Sequence, residues 1–218
     1  VAWALRPDAR LQLLPQRAAF DPDRGLLLVA DAHLGKALSF RRLGVPVPRG
    51  TTAEALARLD QLLAATDARH LVFLGDFLHS ARGRSASTLE PLAAWRDRHA
   101  QRAMTLVRGN HDQRAGDPPA TLGIDVVDEP LRVGPWALQH HPAPVDGAYA
   151  LAGHVHPGVV LGSRPLGRLR LPCFHFGAAV GVLPAFGPFT GLHIVDALPG
   201  DRVFALADDT VCEVTGRA

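Results

Sequence analysis

Three short apolar runs, at residues 25–30 (GLLLVA), 71–74 (LVFL) and 103–107 (AMTLV), divide the first half of this chain, and each stops at a polar cluster. Continuous runs of this length read as strands buried on both faces, the kind found in parallel sheets. Helical periodicity fills the gaps between them. Thr51-x-x-Glu54 has the form of a capping box, with Leu56, Leu59 and Leu63 following on one face. Ser87-x-x-Glu90 opens a second helix to about His99, with Leu89, Leu92 and Trp95 on its inner side. Past Pro118-Pro119 that period vanishes. Apolar stretches near 124–127, 136–139, 149–152, 169–176, 191–195 and 202–206 are separated by Gly and Pro, which reads as sheet. Strand–helix alternation followed by a strand-rich tail predicts an α/β sandwich of two mixed sheets with helices outside, four layers in the order αββα.

Length and composition narrow the class. At 218 residues, one large domain spanning 1–218 is expected rather than two small ones. The 47% apolar and 20% charged content fits a globular chain, and no apolar run approaches the roughly eighteen residues needed to span a bilayer. The first residues carry no basic segment followed by an apolar stretch, so a cytoplasmic location without membrane association is expected. Cys173 and Cys212 stand alone, without a CxxC partner, as reduced thiols do. A net charge of +2 is too small to argue for nucleic acid by itself. Lys36 is the only lysine, and many alanines accompany the arginines, a pattern of GC-rich coding rather than of a phosphate-binding surface.

The polar clusters carry the chemistry. In order they are Asp31-Ala-His33, Gly75-Asp76, Gly109-Asn110-His111-Asp112, His140-His141 and Gly153-His154-Val-His156. In open α/β sheets, ligands bind beyond the carboxyl ends of the strands, which is where each cluster falls. Turn-forming Asp, Asn and Gly are common loop punctuation. Histidines repeated at strand ends are not. Two-metal hydrolysis needs this set: carboxylates to hold and bridge the ions, imidazoles to complete the shells, and a spare imidazole to move a proton. Mixed Asp, Asn and His shells suit manganese, iron or zinc. No Walker loop, GxSxG elbow or zinc CxxC pair is present.

The series DAH, GDF, GNHD, strand-end His and GHVH resembles the five motifs of the calcineurin-like binuclear metallophosphoesterases, over residues 31–156. The surrounding text is most similar to the bacterial ligase-associated DNA damage response endonucleases, the PdeM family. The stretches that carry this are DAHLGKALSFRRLGVPVPRGTTAEAL, LVFLGDFLHS, HHPAP, YALAGHVHPGV and FGAAVGVLPAFGPFTG. The resemblance implies the metallophosphoesterase form of the sandwich. It also implies one metal held by Asp31, His33, Asp76 and His156, and a second held by Asp76, Asn110, His154 and His140 or His141. Only one of that pair faces the site if the strand alternates; the resemblance favours His140, and the doubled His leaves the choice open. Asp76 bridges in this scheme, because two cations need a shared anion between them. A hydroxide generated between the ions is the expected nucleophile. His111 is the expected general acid and Asp112 its orienting partner. Manganese is the metal the family favours.

Outside the metal shell the signals are weaker. His79 could reach a phosphate, or simply be a polar residue at a helix start. Arg41, Arg42 and Arg49 flank a Pro-rich loop, and Arg82 and Arg84 flank Gly83; either set could touch a DNA backbone, or only solvate the surface. His175 and His193, away from the motif series, are expected to be structural, and Phe186 and Phe189 to be packing residues. The leading function is therefore a manganese-dependent phosphodiesterase that cuts single-stranded or flapped DNA in a bacterial repair pathway. The resemblance adds functional association with an ATP-dependent DNA ligase, a helicase and a second nuclease. The alternative is a phosphodiesterase or pyrophosphatase for a small nucleotide or a lipid-linked substrate, although no apolar lid is evident. A metal-free interaction module is disfavoured because every ligand type is present.

Overall fold

The computed structural model describes residues 2–6, 9–48, 50–163 and 167–214; Arg49 lies outside the described residues, as do the side chains of residues 2–6, Arg42, Arg82 and Ser163. Seven strands form the first sheet in sequence order: β1 (Ala2–Arg6), β2 (Ala9–Leu14), β3 (Ala18–Asp21), β4 (Leu26–Ala30), β5 (His70–Leu74), β6 (Ala103–Val107) and β7 (Asp125–Val127). Pairing is antiparallel from β1 to β4 and parallel from β4 to β7. The second sheet contains β8 (Leu131–Val133), β9 (Trp136–Leu138), β10 (Tyr149–Ala152), β11 (Pro157–Ser163), β12 (Gly167–Phe176), β13 (Val180–Val182), β14 (His193–Ile194), β15 (Arg202–Ala207) and β16 (Thr210–Glu213). Its order is β14-β11-β12-β13-β10-β9-β8, with β15 on β12 and β16 on β15. Both sheets are mixed, since β10 runs parallel to β9 and β13 while β12 runs antiparallel to β11, β13 and β15.

The core follows from the period-two alternation of strand side chains. From β4, β5 and β6, Leu27, Val29, Leu71, Phe73, Met104 and Leu106 pack beneath two helices, α2 (Thr51–Thr66) and α3 (Ala86–Arg98). The intervening Leu26, Leu28, Ala30, Val72, Leu74 and Val107 turn the other way and meet Trp136, Leu151, Phe174 and Phe204 of the second sheet. Each such side chain contributes about 1.5–3 kcal/mol of burial, which fixes both register and facing. Two shorter helices, α1 (Lys36–Arg42) and α4 (Asn110–Ala115), follow β4 and β6 directly.

Several details differ from the sequence expectation. No element after residue 122 is helical among the described residues, so that part of the chain supplies no helical layer over the second sheet. Thr51 is the first helical residue of α2 rather than its cap. The chain enters through Gly50 at φ 88, and no side chain caps the helix. Helix α3 begins one residue before Ser87, with Ser85 at its N-cap in extended backbone and hydrogen-bonded to Ser87 through the hydroxyls (3.0 Å).

The register places the site. Ala30, Leu74 and Val107 are direct partners across β4, β5 and β6, so the residues that follow them leave one sheet edge together. On the facing sheet, Leu138 of β9 pairs with Leu151 of the parallel β10, which delivers residues 139–141 and 153–156 to the same edge.

Candidate metal centre

Backbone geometry marks this edge first. Nine described non-glycine residues have positive φ, and five of them are Asp31, His33, Asp76, His154 and His156. A left-handed residue with a Cβ costs about 1 kcal/mol or more, so these conformations persist only because the surrounding structure imposes them. Two close approaches need glycine. A Cβ on Gly75, itself at φ 77, would overlap the His140 ring, and one on Gly153 would lie 2.6 Å from an Asp31 oxygen.

The side chains then converge on two points. Asp31 is buried, accepts the His154 N–H at 2.9 Å, and brings Oδ1 to 3.6 Å from His156 Nε2. His33 Nε2 lies 3.4 Å from His156 Nε2 and 3.8 Å from Asp76 Oδ2. At the second point, His140 Nδ1 donates to the Leu74 carbonyl at 3.0 Å, which leaves Nε2 as a lone pair. Around that nitrogen stand Asn110 Oδ1 at 2.9 Å, His154 Nδ1 at 3.0 Å and Asp76 Oδ1 at 3.4 Å. With both rings neutral and their free nitrogens turned inward, these atoms form a set of lone pairs that a cation between them would satisfy. Two donors each about 2.1 Å from one ion sit about 3.0–3.4 Å from each other, close to the spacing around His140 Nε2, while at the first point the separations run from 3.4 to 3.8 Å. Asp76 stands between the two points, with Oδ2 toward His33 and Oδ1 toward His140, so its carboxylate could serve both ions.

Electrostatics agree with this fit. Burial pushes His33 well below the usual imidazole range, helped by Lys36 and His156, and burial also lowers His154, helped by His140 and His141. Neutral imidazoles are the form that binds metal. His33 Nδ1 is buried without a hydrogen-bond partner.

His140 and His141 separate cleanly. His140 is fully buried among the acidic groups, whereas His141 is partly exposed and gives its Nδ1–H to Glu129 at 2.7 Å. Glu129 also accepts both backbone N–H groups of the pair, at 2.7 and 3.0 Å. Sequence reading missed Glu129, which sits in a Glu-Pro turn between β7 and β8 with no motif to signal it.

His111 is oriented differently from expectation. Its Nδ1 donates to the His79 carbonyl at 2.8 Å, and its Nε2 lies 3.9 Å from Asp76 Oδ2. Asp112 does not hold the ring. Its carboxylate accepts the backbone N–H groups of Gly109 at 2.9 Å, Phe77 at 3.0 Å and Leu78 at 3.4 Å, so it ties the loops after β5 and β6 together. As the third residue of α4 it points back toward the start of that helix, away from its neighbour's ring. The His79 ring stacks on His111 with centroids 5.2 Å apart, and burial pushes it down to about 4, with Lys36 adding to the effect.

The arginines serve the backbone. Arg41 donates to the Pro48 carbonyl at 2.7 Å, and Arg84 to the Asp117 and Ala115 carbonyls at 2.7 and 3.4 Å, just past α4. Arg42 and Arg82 have side chains outside the described residues. His175 pairs with Asp201 at 2.7 Å. Phe186 is buried, whereas Phe189 is exposed.

Comparison with known proteins agrees with this geometry. The calcineurin-like phosphoesterase family model matches residues 26–177. The crystal structure of Pseudomonas putida nuclease MPE is similar at 45% identity and TM-score 0.86, covering 98% of this chain and 100% of that one. Yfce, a phosphoesterase from E. coli, is similar at 18% identity and TM-score 0.44, covering 87% of this chain and 97% of that one. No curated protein matches. With most of its length covered by the family model and its strand-end carboxylates and imidazoles gathered at one edge, the chain belongs to the calcineurin-like phosphoesterases, metal-dependent hydrolases.

Proposed function

We propose that this hydrolase is a manganese-dependent endonuclease that cleaves single-stranded or flapped DNA within a bacterial repair pathway. A cytoplasmic site of action and a working association with an ATP-dependent DNA ligase, a helicase and a second nuclease belong to the same reading. The observation that carries the two-metal part is the gathering of Asn110 Oδ1, His154 Nδ1 and Asp76 Oδ1 around His140 Nε2 beside the Asp31, His33 and His156 group, two donor sets that share Asp76. The nuclease part is supported by the 45% identity to a protein described as a nuclease over nearly the whole chain.

Asp31, His33, Asp76 and His156 would hold one ion, and Asp76, Asn110, His140 and His154 the other. Once bound, the ions supply a nucleophile by lowering the pKa of water and screen the charge of the phosphate. The chain's own residues do the remainder. Asp76 keeps the two shells in register, and its Oδ1 accepts the His111 N–H at 2.9 Å, which sets the start of α4. His111 is partly exposed beside Asp76, so its Nε2 can give a proton to the departing sugar oxygen while the His79 carbonyl holds the opposite ring edge. Of the arginines expected to contact the DNA backbone, Arg41 is already given to the Pro48 carbonyl, which leaves Arg42 and Arg82 as the ones this reading favours. Arg84 is already committed to carbonyls beyond α4. Unpaired DNA bends into such an edge more readily than stiff duplex.

Purified protein with manganese should cut circular single-stranded DNA and cut intact duplex far more slowly. His111→Ala should keep both metals yet lose DNA cleavage by about 100-fold or more, and lose less on a nitrophenyl phosphodiester, whose leaving group needs little protonation. Survival of the circles alongside rapid hydrolysis of a cyclic nucleotide or a pyrophosphate would replace the repair reading with the small-substrate one.

A further inference from the structure

The stretch LPAFGPFTG is unexplained by the metal ligands, yet it runs beside them. Leu183 N–H bonds to the Ala152 carbonyl at the end of β10, in the second sheet, at 2.8 Å. Within three residues the chain has reached the first sheet, where Ala185 bridges to Ala30 and Phe186 N–H bonds to the Ala30 carbonyl at 2.8 Å. Gly187 N–H then bonds to the Asp31 carbonyl at 2.9 Å. Residues 183–187 therefore connect the strand end that carries His154 and His156 to the strand end that carries Asp31 and His33. Asp31, His33 and His156 are three of the four residues that would hold the first ion.

Two cations hold the outer side of this segment. Arg17, in the β2–β3 turn, donates to the Ala185 carbonyl at 3.2 Å. Arg58, on α2, donates to the Phe186 carbonyl and lies over the Phe186 ring with its guanidinium carbon 3.8 Å from the centroid. Neither forms an ion pair among the described residues, and Arg58 Nε is buried without a partner. Burial lowers both guanidiniums, Arg58 to about 10 with Arg17 adding to the effect. Two partly buried cations spent on adjacent main-chain carbonyls are an expensive way to hold a loop that needed only to be covered. The backbone also fits without slack. A Cβ on Gly187 would lie 2.5 Å from the Ala32 carbonyl oxygen and 3.1 Å from that of Asp31.

We propose that residues 183–187 form a strap that sets the spacing between Asp31 and His156, and that Arg58, with Arg17, is a positioning residue for the first metal shell. Arg58 acts on the strap carbonyls, the strap on the Ala30 and Asp31 main chain, and that main chain on the Asp31 carboxylate. This inference rests on the binuclear reading of the site.

The test is calorimetric titration of the metal-stripped full chain with manganese, alongside thermal melts of stripped and loaded protein. Wild type should take up two ions. Arg58→Ala and Gly187→Ala should weaken one of the two binding steps by on the order of tenfold, the size seen when groups that orient metal ligands are removed. Arg58→Lys, which keeps a cation without the planar fork, should recover part of that loss. Two ions bound at wild-type affinity by Arg58→Ala, or by Gly187→Ala and Arg58→Lys if Arg58→Ala does not fold, would overturn the strap. A wild type that binds fewer than two ions would overturn the binuclear reading instead.

Discussion

His140 and His141 are chain neighbours with opposite surroundings, and that contrast is the sharpest residue-scale test of the site. His140 is enclosed, with Nδ1 given to the Leu74 carbonyl and Nε2 among the acceptors of the second metal point. His141 leans outward onto Glu129. His140→Ala should therefore leave one of the two ion positions empty by metal analysis, while His141→Ala should retain both. The reverse result would move the ligand assignment along by one residue. The doubled His was visible in the sequence, alternation along a strand implied that only one faces the site, and the family resemblance favoured the first. Glu129, which accepts three bonds from the pair, was not visible, because a carboxylate brought in from a separate turn leaves no spacing pattern behind.

At the scale of elements, α4 is the informative case. Six residues are too few for a helix stable by itself, and the first three of them are Asn110, His111 and Asp112. Its start is held by the Asp112 carboxylate, which joins the loops after β5 and β6 through Gly109, Phe77 and Leu78. Asp112→Ala leaves three backbone donors without that acceptor and should cost on the order of 3 kcal/mol in urea unfolding of the metal-free protein. Asp112→Asn keeps one acceptor oxygen and should cost less. Both should lower activity through Asn110 and His111, with the Ala variant the more severe. The GNHD motif was legible as chemistry, but its Asp was assigned to the wrong neighbour. Adjacency in sequence suggested His111, whereas the geometry of a helix first turn directs the third residue back toward the preceding backbone.

Across the whole molecule, the buried imidazoles couple folding to pH. His33, His79 and His154 have folded pKa values below the unfolded value near 6.5, with His79 at about 4. The unfolded chain then binds more protons than the folded one below about 6.5, so this stability is present above that pH and is lost as pH falls toward the folded values. Glu129, held low by bonds from His141 and His140 that outweigh its burial, extends the loss into more acid solution. Asp112, raised by burial, acts in the opposite sense as a single group. Metal-free protein should melt at a clearly lower temperature at pH 5 than at pH 7.5. The manganese-loaded protein should show a larger difference, because protons compete with the ions for the same nitrogens. An equal or higher melting temperature at pH 5 would show that these histidines are not neutral in the folded chain.

The identity of the site-bearing strands β4, β5 and β6, the order of the motifs and the residue types at each strand end were determined by sequence, because each depends on local period or on chemistry that one side chain carries alone, whereas β1 to β3 carried no run that announced them. Continuous apolar runs such as LLLVA announce a doubly buried strand wherever they occur, and Asp or His after such a run is exposed to the sheet edge by the strand's direction. Which atoms meet was decided only by the tertiary structure. The convergence of Asp31 and His33 with His154 and His156, and the link from Ala152 through residues 183–187 to Asp31, depend on two sheets packing face to face, while the backward turn of Asp112 depends on the loops after β5 and β6 meeting at one sheet edge. Some of those contacts, such as Asp31 with His154 and Ala30 with Phe186, join residues more than a hundred positions apart. No local propensity encodes them, because the energy that holds them comes from the burial of the inter-sheet core.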